Sequence, residues 1–166
     1  MTEPLSVSAE APNFDLSSTE NAVLMLRDEA ARTPVLLYFF SGPAQDRARA
    51  GLDALNRRLD HLARLHARVL AVSPAPLDEL KKLQADHKLR FPLLHDDRGF
   101  SAAYGVTDAP ALVLVGPQRR ILWLARPAAS VEEALPLAEK TLEEQASPAT
   151  GYPKSVINRW IDKLVS

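Results

Sequence analysis

Apolar residues change their spacing along this chain, and the changes mark out the elements. Residues 35–40, VLLYFF, form an unbroken apolar run after Thr33-Pro34. Such a run suits a strand buried on both faces. From Leu52 the spacing becomes helical. Leu52, Leu55, Leu59, Leu62 and Leu65 recur every three or four residues, with Arg57, Arg58, Asp60 and Arg64 on the other side. This predicts one amphipathic helix. Residues 69–72 predict a second buried strand, ended by Ser73-Pro74. Leu77, Leu80, Leu83 and Ala85 predict a second helix opening near Pro76, a residue tolerated in a first turn. Residues 91–94 read as a third short extended piece, and His95-Asp96-Asp97-Arg98-Gly99 as a turn.

The two ends of the chain add hairpins and helices. Phe14, Leu16 and residues 23–26 are apolar, and the polar residues between them, 17–21, punctuate a hairpin. Residues 111–115 and 121–124 make another around Gly116-Pro117-Gln118-Arg119. Residues 131–142 predict a helix led by Ser130, with Glu133 three positions on, a capping-box spacing. Ser, Pro and Gly collect in residues 147–153, a linker. Val156, Ile157, Trp160, Ile161, Leu164 and Val165 then give residues 155–165 one apolar helical face. The expected organisation is a loose segment 1–12, one domain over 13–146, and a linker with a C-terminal amphipathic helix over 147–166. Strands alternating with helices imply an α/β protein with a central mixed sheet and helices on both faces. Chemistry in such sheets sits at the carboxyl ends of parallel strands. Residues 40–45 are such an end, in front of a helix N-terminus that favours anions.

Composition narrows the chemistry. A chain of 166 residues fits one domain. With 46% hydrophobic and 25% charged residues it is of ordinary globular make-up. A net charge of -1 without basic blocks argues against nucleic-acid binding by phosphate neutralisation. The first residues have neither a basic start nor an apolar run, so no signal peptide is expected. No stretch approaches the ~20 apolar residues that span a bilayer. The expected location is cytoplasmic, with no membrane partner. Most decisive, the sequence contains no cysteine. Disulfides, thiolate nucleophiles and thiolate metal sites are excluded.

Several segments in order carry a family resemblance. "APNFDLSS" is similar to an Ala-Pro-x-Phe-x-Leu opening, and "VLLYFF" to a central strand before an active loop. "VLAVSPAPLDELKKLQADHKLRFPLLHDDRGFSAAYGV" and "APALVLVGPQRRIL" continue the pattern. Over residues 11–126 the chain resembles the peroxiredoxins, the alkyl hydroperoxide reductase and thiol-specific antioxidant group. The resemblance implies a thioredoxin-like three-layer fold. It also implies a peroxidatic cysteine in the strand-to-helix loop, often within Thr-Pro-Gly-Cys. Laid on that motif, Gly42-Pro43-Ala44-Gln45 puts Gln45 where the cysteine belongs and Gly42 where the threonine belongs. The second cysteine of a thioredoxin pair would fall at Ala48, and a resolving cysteine five residues on at Ala50. All three thiol positions are empty. The family arginine at the start of the closing hairpin falls at Ala109 or Pro110. Under a thioredoxin-like reading Pro110 is instead the cis-proline facing the loop.

A glutamine amide has no redox state and little nucleophilicity; it only donates and accepts hydrogen bonds. The resemblance therefore implies a vestigial loop at Gly42, Pro43, Ala44, Gln45, Ala48 and Ala50, with no catalytic residue, cofactor or metal. It points to a cysteine-free binding or regulatory module in a redox context. Two alternatives stand beside it: an antioxidant enzyme using metal instead of thiol, and a structural dimer partner of an active paralogue. His95-Asp96-Asp97 is better read as a turn than as ligands, since adjacent residues rarely converge on one ion. His61 and His66, five apart, share no helix face, and His87 sits at a helix end. Arg47, Arg49, Arg57 and Arg58 read as a solvated face paired with Asp46, Asp53 and Asp60, or else as a site for an acidic ligand. On the tail, Trp160, Ile161 and Leu164 are the candidate interface. They pack on their own domain or on a partner, including a second copy of the chain.

Overall fold

The structure is a computed structural model that describes residues 9–40, 46–97, 99–100, 111–125 and 131–145. Its strands are β1 (Asp15–Ser18), β2 (Val23–Met25), β3 (Val35–Phe39), β4 (Arg68–Ser73), β5 (Leu93–His95), β6 (Ala111–Val115) and β7 (Ile121–Ala125). Its described helices are α1 (Leu26–Arg32), α2 (Asp46–Arg57), α3 (Leu59–Arg64), α4 (Leu77–His87) and α5 (Val131–Gln145). The strands form one sheet in the order β2-β1-β5-β4-β3-β6-β7. Strands β3, β4 and β5 run parallel; β1, β6 and β7 join antiparallel to their neighbours. The expected mixed sheet and both hairpins are present.

Strand β3 lies at the centre of the domain because every residue in it is apolar. Leu36 and Tyr38, with Phe40 beyond the strand, face a core built with α2, α3, α4 and α5. Val35, Leu37 and Phe39 face a second core with Phe14, Leu26 and Ala30. Helices thus cover both faces, but unevenly: among the described residues the second face carries α1 and the helical Phe100, which packs beside Phe14. The heptad-like spacing used to find helices could not reveal α1. Its buried residues are just Leu26 and Ala30, one turn apart.

Two helical expectations need correction. The leucine series from Leu52 to Leu65 is not one helix; it breaks at Arg58, whose φ of -94° and ψ of 2° lie outside helical values. The break is stabilised from outside the helix. Asn56 donates through Nδ2 to the Lys88 carbonyl (3.1 Å) and accepts through Oδ1 from the Arg90 amide (3.0 Å). Arg58 turns to Glu139 of α5, donating through Nε (3.0 Å) and Nη2 (2.5 Å), and His61 Nε2 meets the same carboxylate at 2.8 Å. Glu139 is buried and these partners compensate its charge. The second correction concerns Ala85, which is exposed while Leu80 and Leu83 are buried. Helix α5 extends to Gln145 and passes through Pro136, which is exposed. The capping residue Ser130, the linker and the tail lie outside the described residues.

Helix α2 rests on β3 through one close approach. The Tyr38 hydroxyl donates to the Ala48 carbonyl at 3.0 Å, and Gly51 sits one turn further along. A Cβ at Gly51 would lie 2.3 Å from Tyr38 Oη and 2.8 Å from Val131 Cγ2, so only glycine fits between strand, α2 and α5. Gly51→Ala is expected to destabilise the domain by about 1–3 kcal/mol, outweighing the roughly 1 kcal/mol that alanine gains over glycine in a helix. A lower urea midpoint checks this, and the loss should shrink in a Tyr38→Phe background, where the hydroxyl is gone.

Candidate functional site

The parallel strands end together. Phe39 pairs with Val72 and Ser73 with His95, which brings the carboxyl ends of β3, β4 and β5 side by side. The loop after β3 carries the sequence-derived positions Gly42, Pro43, Ala44 and Gln45, which lie outside the described residues, as does Pro110. Their anchors are described. Phe40 is buried and stacks on Tyr38, with ring centroids 5.7 Å apart and planes 20° apart. Beyond the loop, α2 opens at Asp46, which pairs with Arg49 one turn on. Ala111 pairs with Phe39, so β6 starts at the same end of the sheet.

The two described thiol positions are not brought together. Ala48 is fully buried over Tyr38, whereas Ala50 is exposed on the outer side of α2. Burial pushes the Tyr38 phenol well above its ordinary 10.0, and the nearby Arg47 offsets this only in part. Tyr38 is therefore a permanent donor, spent on the Ala48 carbonyl. The sequence signals for this contact were a lone phenol in an apolar strand and a glycine inside a helical pattern.

The remaining polar groups at this end serve the loops. The Ser73 hydroxyl accepts from the Ala75 amide at 3.1 Å. His95 Nδ1 lies 2.7 Å from the Ala75 carbonyl, so Nδ1 carries the proton that it donates. Asp96 is buried and accepts from the Phe100 amide at 2.9 Å. This is the turn-forming role expected for the segment. His61 and His87 are held elsewhere, by Glu139 and by Asp53 (2.9 Å). Among the described residues no three His, Cys, Asp or Glu side chains converge on a metal-sized site.

The arginines of α2 follow the expected pairing only in part. Arg49 pairs with Asp46, as the spacing suggested. Asp53 instead meets His87 of α4, Asp60 meets Arg90 at 2.9 Å, and Arg58 meets Glu139. The acidic residues tie α2 and α3 to their neighbours across the fold, which a single-helix pattern could not show. Trp160, Ile161 and Leu164 lie outside the described residues.

The buried phenol gives a pH dependence. Its folded pKa is raised, so its contribution to stability is complete below pH 10, the ordinary tyrosine value, and is lost as pH rises above it. Above that point this one group should cost up to about 1.4 kcal/mol per pH unit. Urea midpoints measured from pH 9 to pH 11 should fall more steeply for the native chain than for Tyr38→Phe.

The comparisons with known proteins agree with this architecture. The AhpC/TSA family pattern matches residues 7–124. Among solved structures, peroxidoxin BcpB from Mycobacterium tuberculosis is 17% identical with a TM-score of 0.77, covering 83% of this chain and 96% of that one. A cysteine-to-serine mutant of Xylella fastidiosa PrxQ is 19% identical with a TM-score of 0.77, covering 87% and 99%. Xanthomonas campestris peroxiredoxin Q is 18% identical with a TM-score of 0.73, covering 81% and 92%. At these identities the likeness shows the fold, which is thioredoxin-like. No curated protein sequence matches the chain. No described helix is long and apolar enough to cross a membrane. The family pattern runs from before β1 into β7, and this chain belongs to the AhpC/TSA family.

Proposed function

We propose that this protein is a non-catalytic member of its family, in which the peroxidase scaffold serves as a binding or regulatory module. One observation carries the reading: the region matched by the family contains no cysteine at all. Thiol peroxidases work through a thiolate that attacks the O–O bond and becomes a sulfenic acid. No other side chain at the carboxyl end of the described sheet supplies that electron pair. Tyr38 is buried, protonated and bonded, and Ser73 is engaged by its own loop. The described end of β3 still leads to the N-terminus of α2, a place that favours anions.

Gln45 is the residue we place at the peroxidatic position. The native protein should consume no hydrogen peroxide above a buffer blank with excess dithiol. Turnover by metal-free native protein would overturn the reading. The placement has its own test. A sulfur at the opening of α2 is activated by the helix N-terminus, whereas one on its outer face is not. Peroxide should therefore convert Gln45→Cys to a dimedone-reactive sulfenic acid faster than Ala50→Cys. Equal rates would remove Gln45 from that position.

A further inference from the structure

Between α2 and α5 lies a groove of about 300 Å³ lined by Ala54, Arg57, Arg58, Leu135 and Pro136. Its floor, Ala54 and Leu135, belongs to the main core. Its rim is cationic. Beside it Leu137 is 57% exposed, one of two large hydrophobic residues left in water among the described ones. We propose that the amphipathic stretch 155–165 folds back along α5 and seats Trp160 in this groove.

The groove has the chemistry of an indole site. Ala54, Leu135 and Pro136 offer apolar walls, and arginine planes at the rim suit the face of an aromatic ring. The Arg58 guanidinium is already oriented, because the buried Glu139 carboxylate holds it through two hydrogen bonds. Holding it beforehand lowers the ordering cost when a ring stacks on it. Leu137, one residue beyond the groove wall, supplies the surface that Ile157, Ile161 or Leu164 would cover.

The chain length and charge suit this occupant. Helix α5 ends at Gln145, and Pro136 lies nine residues back from it, or about 13 Å along the axis. Residues 146–154 alone can span up to ~30 Å when extended, ample for the return. The stretch carries Arg159, Asp162 and Lys163, with Lys154 just before it; Arg57 and Arg58 stand at the groove and Glu143 and Glu144 are exposed on the last turn of α5, so both of its signs have a counterpart there.

The absence of native cysteine makes the test direct, since any disulfide must join introduced sulfurs. Leu137→Cys is combined with Ile161→Cys in the full chain; position 137 is exposed, so the fold is not at risk. Under mild oxidation the expected product is an intramolecular disulfide within a monomer. Its formation should be roughly tenfold faster than in the same pair carrying Trp160→Ala, because a seated ring raises the local concentration of position 161 beyond tethering alone. An unchanged rate with Trp160→Ala would overturn the assignment. So would disulfide-linked dimers forming at a concentration-dependent rate, which would place the stretch on a second copy. Absence of any disulfide would overturn it as well. Hydrogen exchange in otherwise native protein gives a second reading: Trp160→Ala should speed exchange in α5 around residues 134–139, and no change there would count equally against it.

Discussion

Each residue of β3 is withdrawn from water on both sides, and the domain is arranged to make that possible. Successive side chains point to opposite faces, so a strand of five apolar residues requires two cores. One core needs α2 laid along Leu36, Tyr38 and Phe40. The other needs α1 and the β1 region against Val35, Leu37 and Phe39. Flanking strands then satisfy the ladder on both edges, β4 parallel and β6 antiparallel. The candidate site is a by-product of this burial. A strand so enclosed can release its chain only at its end, where the loop passes to α2.

That burial needs no cysteine, and the family scaffold stands here in a chain without one. Of the positions that the resemblance aligns with thiols, Ala48 lies in the main core and Ala50 is exposed, and further contacts hold α2 on the sheet. The contacts that do so are Tyr38 with the Ala48 backbone carbonyl and the close packing at Gly51. A backbone acceptor is indifferent to which side chain it carries. The seating of α2 on β3 therefore does not depend on a sulfur at residue 48.

What the sequence made legible follows the same division. Strand β3, both hairpins and α4 were readable because their signals are local: an apolar run, turn residues, a helical period. The break at Arg58 was not readable, because Leu52 to Leu65 keeps a perfect helical period through it. Its causes, Asn56 against residues 88–90 and Arg58 against Glu139, act across at least 30 residues of chain. The same distance hid the true partners of Asp53 and Asp60. At the candidate site the missing cysteine was plain from composition. The phenol under α2 was not, since an aromatic in a buried strand usually signifies packing alone.

The N-terminal segment runs alongside the start of β7. Ala11 donates to the Arg119 carbonyl, Ile121 donates to that of Ala9, and the Arg119 side chain reaches the Ala11 carbonyl (3.0 Å) and the Glu10 carboxylate (2.8 Å). Partners more than a hundred positions apart thus meet at the rim of the sheet. Closing so long a loop is entropically costly, and such contacts raise contact order and slow folding. They also occupy main-chain groups that an edge strand would otherwise offer to another molecule. The clasp therefore exchanges folding speed for protection against edge-to-edge aggregation, and a chain trimmed through Ala11 would fold with that rim open.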